Sequence, residues 1–119
     1  MIYTKSIQEK PAKKDGIRIC IMRRPPEAGM YDIWMPHLSP STKLLKDYHD
    51  KQIDWEIYEK RFNKEVLDTQ KTYLEIVHAI AEKNTITLLC WEETSEMCHR
   101  RLTAERLQQL YPNAKIIIH

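Results

Sequence analysis

Between Cys90 and Arg100 the sequence Cys-Trp-Glu-Glu-Thr-Ser-Glu-Met-Cys-His-Arg gathers two thiols, the Glu92 carboxylate, the His99 imidazole and the Arg100 guanidinium into eleven residues. Thiolates are nucleophiles, carboxylates and imidazoles move protons, and guanidinium groups bind anions through paired hydrogen bonds. The apolar run Ile86 to Leu89 leads into Cys90 as a strand, and Cys98-His99-Arg100 opens a helix. The cluster therefore falls at a strand-to-helix junction, where open α/β sheets bind ligands. These residue types mark a site without naming a reaction.

Cys98 has the most specific physical case. With Ser95 as N-cap it falls in the first helical turn, where free N–H groups and the helix dipole stabilise a thiolate. His99 and Arg100 add positive charge, so the thiol is expected to ionise below the free value of about 8.5. At about 100° per residue, His99 and Arg100 lie inside the arc of Leu102, Leu107, Leu110 and Tyr111, which turns them toward the protein body. Arg106 falls in the same arc. Cys90 stands at a strand exit next to Glu92 and is open to either a packing or a chemical role. Cys20 lies inside a strand and reads as a small apolar residue. No metal site is assigned: Cys90 and Cys98 are eight apart, without the close C-x₂₋₄-C pairs of structural zinc. A disulfide between them needs Cα atoms within about 7 Å, which a strand-loop-helix junction allows, although the spacing is not C-x-x-C. A C-x₅-R phosphatase loop is absent, because Glu96 stands six after Cys90.

A second group lies far away in sequence. Ile17 to Met22 reads as a strand with β-branched residues at 17, 19 and 21, and Arg23-Arg24-Pro25-Pro26 closes it. If this strand runs parallel to and near Ile86 to Leu89, Arg23 and Arg24 stand beside Cys90 and the Cys-His-Arg helix.

The elements that must position these residues follow from the rest of the chain. At 119 residues, 42% hydrophobic and 30% charged, the chain reads as one domain, 1–119, with a single core. Ile2 to Ile7 reads as a weak, edge-type strand whose direction is open. Glu27 to Leu38 reads as an aromatic-rich loop that covers the core or the site. Ser39 and Pro40 start a helix with Leu44, Leu45 and Tyr48 on its apolar face. Asp54 caps the next, whose Trp55, Tyr58, Phe62 and Val66 form a core-facing stripe. Leu74, Val77, Ile80 and Ala81 line a third, ending near Asn84. After the Cys-His-Arg helix, Ala114 to Ile118 reads as a final buried strand, so Thr85 to Ile118 forms a βαβ unit. The predicted fold class is α/β: a small, mostly parallel sheet flanked by helices, with that unit at the C-terminus.

Composition excludes some functions. Two glycines, Gly16 and Gly29, cannot build a Walker loop or a G-x-G-x-x-G turn. No apolar run reaches the length of a membrane span, so no membrane partner is expected. No signal peptide is visible, and three cysteines in such a chain point to a reducing cytoplasm with free thiols. A formal net charge of +2 neither marks a dedicated nucleic-acid binder nor excludes a local basic patch.

C-x-E followed by C-H-R-R-L resembles the signature of the domain of unknown function 488 family. Asp15-Gly16-Ile17-Arg18, Leu38-Ser39-Pro40-Ser41 with Leu44, and Trp55-x-x-Tyr58-x-x-Arg61-Phe62-x-x-Glu65 resemble its YeaO-like branch. The resemblance covers nearly the whole chain and implies a fold and a site, with no cofactor specified. Three readings of function stay open. The leading one is an enzyme, or enzyme-like binding protein, for a small phosphate- or nucleotide-like anion. Arg23, Arg24 and Arg100 bind the anion, Glu92 or His99 moves a proton, and Cys98 or Cys90 is the nucleophile. The second is a non-catalytic nucleic-acid-binding module with a basic surface of Lys13, Lys14, Arg23, Arg24, Arg100, Arg101 and Arg106. The third is a structural remnant without activity.

Overall fold

The apolar runs of the chain assemble into one five-stranded sheet in the order Ile33–Trp34, Ile17–Cys20, Ile86–Cys90, Ile2–Ser6, Ile116–Ile117, with every strand pair parallel. The computed structural model describes residues 1–119. Its strands are β1 (Ile2–Ser6), β2 (Ile17–Cys20), β3 (Ile33–Trp34), β4 (Ile86–Cys90) and β5 (Ile116–Ile117). The helices are α1 (Thr42–His49), α2 (Trp55–Phe62), α3 (Lys71–Lys83) and α4 (His99–Leu110), with a π-helical turn, Asn63–Leu67, continuing α2. The chain is therefore α/β, as its alternation of strand and helix patterns predicts. No helix is long and apolar enough to cross a membrane.

β4 is buried along its whole length, as its mostly apolar run requires of a strand covered on both faces, and its one polar residue, Thr87, is satisfied by donating to Asp15 O at 2.7 Å. β2 lies on one side of it and β1 on the other. β1 is thus interior and parallel, where an edge strand was expected. Thr4 and Ser6, the polar residues that suggested an edge, are buried but satisfied. Thr4 Oγ1 bonds both the His119 N–H, at 2.8 Å, and the His119 oxygen, at 3.2 Å, and Ser6 Oγ donates to Trp91 O at 3.1 Å. A hydrogen-bonded hydroxyl costs little to bury. The last strand departs the other way: β5 is two residues long, and Ile117 and Ile118 are exposed. It forms the outer edge of the sheet beside β1.

The turn into β2 is fixed by Asp15 and Gly16. The Asp15 carboxylate accepts from the Ala12 N–H, Lys5 Nζ and Arg18 Nη1. Burial alone would raise its pKa; these donors hold it below the ordinary value. Gly16 takes φ +64°, and a Cβ there would collide with the Thr85 carbonyl, so only glycine fits.

Local start signals held with small shifts. Asp54 caps α2, accepting from Ile57 N at 2.9 Å. Ser41, not Ser39, caps α1 by accepting from Leu44 N at 3.0 Å. Ser39 Oγ instead donates back to Pro36 O, closing a short 3₁₀ turn over Pro36–Leu38. The aromatic segment before it contributes β3, with Trp34 Nε1 donating to Met22 O at 2.9 Å.

The core collects Ile2, Ile19, Ile86 and Leu88 from the sheet with Phe62, Leu74, Val77, Leu102 and Leu107 from the helices. Of the expected α2 stripe, Tyr58, Phe62 and Val66 are buried, whereas Trp55 is half-buried, stacked on Tyr58 at 4.9 Å with the Arg101 guanidinium above it. Trp55→Ala is therefore expected to cost roughly 2 kcal/mol, less than the 3–5 kcal/mol of a fully buried aromatic. Urea denaturation of the variant checks this.

Candidate functional site

The site begins with the topology. The chain leaving β2 turns outward to β3 at one edge, while the chain leaving β4 crosses to β5 at the other. Adjacent strands β2 and β4 thus part company at their carboxyl ends, which is the topological switch point where open sheets form a crevice. Both candidate groups stand there. Arg23 and Arg24 follow β2, and Cys90 ends β4 with Glu92 close behind.

A cavity of about 650 Å³ opens at this point, lined by Arg23, Arg24, Cys90, Glu92, Cys98 and His99 among others. Its remaining wall comes from the α1–α2 region, with Lys46, Tyr48, His49, Trp55 and Tyr58, and from the exposed Trp91 and Met97 of the β4–α4 loop. Two arginines and a lysine outnumber the Asp50 and Glu92 carboxylates of the lining, and the aromatic rings give it an apolar wall. Arg23 is steadied by donating from Nε to Pro40 O at 3.0 Å.

The floor holds the sulfurs. Cys98 is itself the N-cap of α4, one position before the first turn that the sequence suggested; Ser95 lies in the preceding loop. Cys90 and Cys98 are joined as a disulfide, both buried, with Cα atoms 7.5 Å apart, just beyond the span of about 7 Å expected of such a link, and Cys20 is the free, buried cysteine. The expectation of free thiols throughout is corrected for this pair. The spacing of eight gave no signal for it, because the loop between them folds back over the end of β4.

Arg100 is wholly buried and stands behind the sulfurs, off the cavity wall. Its Nη1 lies 3.2 Å from Cys90 Sγ and 3.6 Å from Cys98 Sγ, and donates to Glu92 O at 2.7 Å. Its Nη2 reaches the His119 oxygen at 3.4 Å, and its Nε has no partner. Burial lowers its pKa, with Glu92 and Glu9 working the other way.

His99 is also buried, its Nε2 donating to Ile21 O at 2.6 Å and its ring against Phe62 at 5.5 Å. That carbonyl accepts only, so Nε2 carries the hydrogen of the neutral ring and Nδ1 the lone pair. Burial pushes the pKa of His99 down to about 4; the Arg100 charge adds to the shift, and the Ile21 bond opposes it. At neutral pH His99 is therefore an uncharged positioning group, with little capacity as a general acid. A ring nitrogen of His99 and the two sulfurs lie within 4.8 Å of one another, but sulfurs bonded to each other have no thiolate to offer a metal. Glu92 is exposed at the rim. The Tyr58 phenol also faces the cavity, its pKa raised by burial, then by Tyr48 and Glu92.

The wider basic surface does not form one stripe. Lys13 and Lys14 precede β2, at the opposite end of the sheet from Arg23 and Arg24. Arg101 is paired with Glu105 and Glu59, and Arg106 with Asp68.

Comparison with known proteins matches residues 2–110 to a family model described as the active DUF488-N3 subclade. The chain is 25% identical over 114 residues to the uncharacterized protein YeaO of Escherichia coli (strain K12), covering 92% of this chain and 98% of that protein. No solved structure matches. With the match running from the first strand to the end of α4, the chain belongs to the domain of unknown function 488 family, in its DUF488-N3 subclade.

Proposed function

We propose that this chain is an enzyme, or enzyme-like binding protein, for a small anion carrying a flat or apolar part, of the phosphate or nucleotide kind. The observation that carries this reading is the meeting of Arg23 and Arg24 with the Cys90–Cys98 pair around one cavity at the switch point of the sheet. About 650 Å³ is a volume suited to a small molecule. Arg23 and Arg24 take the charge, assisted by Lys46, while Trp55 and Tyr48 offer rings for stacking. Glu92 is the proton-transfer group best placed at the rim, and the sulfurs are the reactive atoms at the floor. Arg100 serves the sulfurs and not the ligand.

The test is calorimetric titration of the full chain with inorganic phosphate and with a nucleoside monophosphate. The nucleotide is expected to bind more tightly than phosphate, because it uses both the arginines and the rings. Arg23→Ala with Arg24→Ala is expected to weaken nucleotide binding by about tenfold or more, since a charge-assisted hydrogen bond contributes about 1.5–3 kcal/mol. Lys83→Ala, at the exposed end of α3, leaves it unchanged. Absence of binding at millimolar ligand, or binding indifferent to the two arginines, defeats the reading.

A further inference from the structure

Two arginines are buried in this protein, and they are treated differently. Arg18 has the carboxylate of Asp15 against it. Arg100, with no exposed surface, has no side-chain carboxylate in contact: its partners are the two sulfurs and the main-chain oxygens of Glu92 and His119, and the Glu92 and Glu9 charges act on it only from farther off. Its Nε is an orphan donor. A buried charge is normally paired with an opposite charge, because desolvation is costly. A disulfide is neutral and supplies no such charge. A thiolate at Cys90, the nearer sulfur, would supply it. Cys98 adds the start of α4, whose first-turn N–H groups also favour negative charge.

We propose that Cys90 and Cys98 are a reversible dithiol–disulfide couple that exchanges with low-molecular-weight thiols entering the cavity, and that Arg100 is the positioning residue that holds Cys90 as a thiolate in the reduced state. This goes beyond the anion-binding reading and does not rest on it. Cys90 and Cys98 both line the cavity, each with only a small exposed surface. An incoming thiolate attacks Cys98 Sγ, forms a mixed disulfide there, and breaks the bond to Cys90. Cys90 leaves as the thiolate beside Arg100, and a stabilised leaving thiolate departs faster. A second thiol attacks the mixed disulfide at the sulfur of the first, releases the small-molecule disulfide and returns its electrons to Cys98. Two thiols lose two electrons and two protons. The protein pair takes both electrons, Cys98 takes one proton, and the other passes to solvent. A reduced state stabilised in this way makes the disulfide the more oxidising partner.

The experiment is redox equilibration of the full folded chain with reduced and oxidised dithiothreitol. Free thiols are trapped with iodoacetamide and counted at each cysteine by mass spectrometry. Dithiothreitol is uncharged, so the result is independent of whether phosphate or nucleotide binds. The pair is expected to reduce and reoxidise without unfolding, while Cys20 stays unlabelled. Arg100→Met is expected to shift the equilibrium at least tenfold toward the disulfide, about 30 mV for a two-electron couple. Arg100→Lys, which keeps the charge, recovers most of that shift. A second measurement needs no Arg100 variant: thiolate absorbance of the reduced protein against pH. It should show one cysteine ionised below the ordinary range, a signal kept in Cys98→Ala and lost in Cys90→Ala. The proposal is overturned if the pair in the folded protein is inert to dithiothreitol, or if Cys90 stays protonated through neutral pH. It is equally overturned if the reduced protein takes up stoichiometric zinc and no longer exchanges.

Discussion

Replacing Asp15 with alanine is expected to lower stability by about 3–5 kcal/mol, the range for breaking a buried charge pair from one side. The carboxylate is buried and joins Lys5 on β1 to Arg18 on β2, with the Ala12 N–H as a further donor. Its loss leaves the buried Arg18 charge without compensation, and Arg18 Nη2 already lacks a partner. Asp15→Asn should recover the Ala12 bond but not the charge, and so fall between the two. Since the folded-state pKa of Asp15 is held below the unfolded one, its contribution is present above the unfolded value and is lost as pH falls through the folded one. Urea midpoints of the two variants, compared at neutral and acid pH, measure each part. A loss under about 1 kcal/mol for Asp15→Ala at neutral pH contradicts the buried-pair account.

The second large effect is pH dependence through His99. Its pKa falls from the ordinary 6.5 of the unfolded chain to about 4 in the folded protein. Above 6.5 neither state is protonated and the full stability is present. Between the two values the unfolded chain binds the proton and the folded one does not, so stability falls with falling pH. Below about 4 the folded ring protonates as well and the loss levels off. At about 1.4 kcal/mol for each pKa step, the whole window contributes roughly 3 kcal/mol. His99→Gln can still donate to Ile21 O and cannot titrate in this range. It should remove this part of the pH profile while leaving the steeper carboxylate losses at lower pH. Denaturant melts of both proteins across the window make the comparison; parallel profiles would contradict a neutral, buried His99.

Much of this arrangement was legible because it is written locally. β2 and β4 announce themselves through runs of apolar and β-branched residues, and Asp54 sits at a cap position that its neighbours define. The placing of Arg23 and Arg24 near Cys90 required only that β2 lie parallel to β4, which it does. What sequence could not give depends on partners far along the chain. Thr4 looks like a surface residue until His119 reaches it, and Ser6 until Trp91 does. The helical arc turns Arg100 toward the protein body, but only the fold shows that it stands behind the sulfurs and not on the cavity wall. The Cys90–Cys98 link depends on the course of an otherwise exposed loop, which no periodicity describes. The run Ile116-Ile117-Ile118 gives only the two-residue edge strand β5, because apolar content does not tell which strand is outermost.

The pairing of β1 with β4 has a bearing on how the protein is made. Ile2 lies opposite Ile86, and Ser6 opposite Cys90. The strand synthesised first therefore has no neighbour on its β4 side until most of the polypeptide has been translated, and none on its β5 side until residues 116 and 117 follow. Local pieces such as α2 and α3 can form as they emerge, but the middle of the sheet must wait for a long-range closure, which is slow. During that interval the apolar side chain of Ile2 and the unpaired backbone of β1 are open to other chains. Nascent molecules of this protein are thus most exposed to misassociation along β1, and a chaperone that shields that strand would protect the step on which the whole sheet depends.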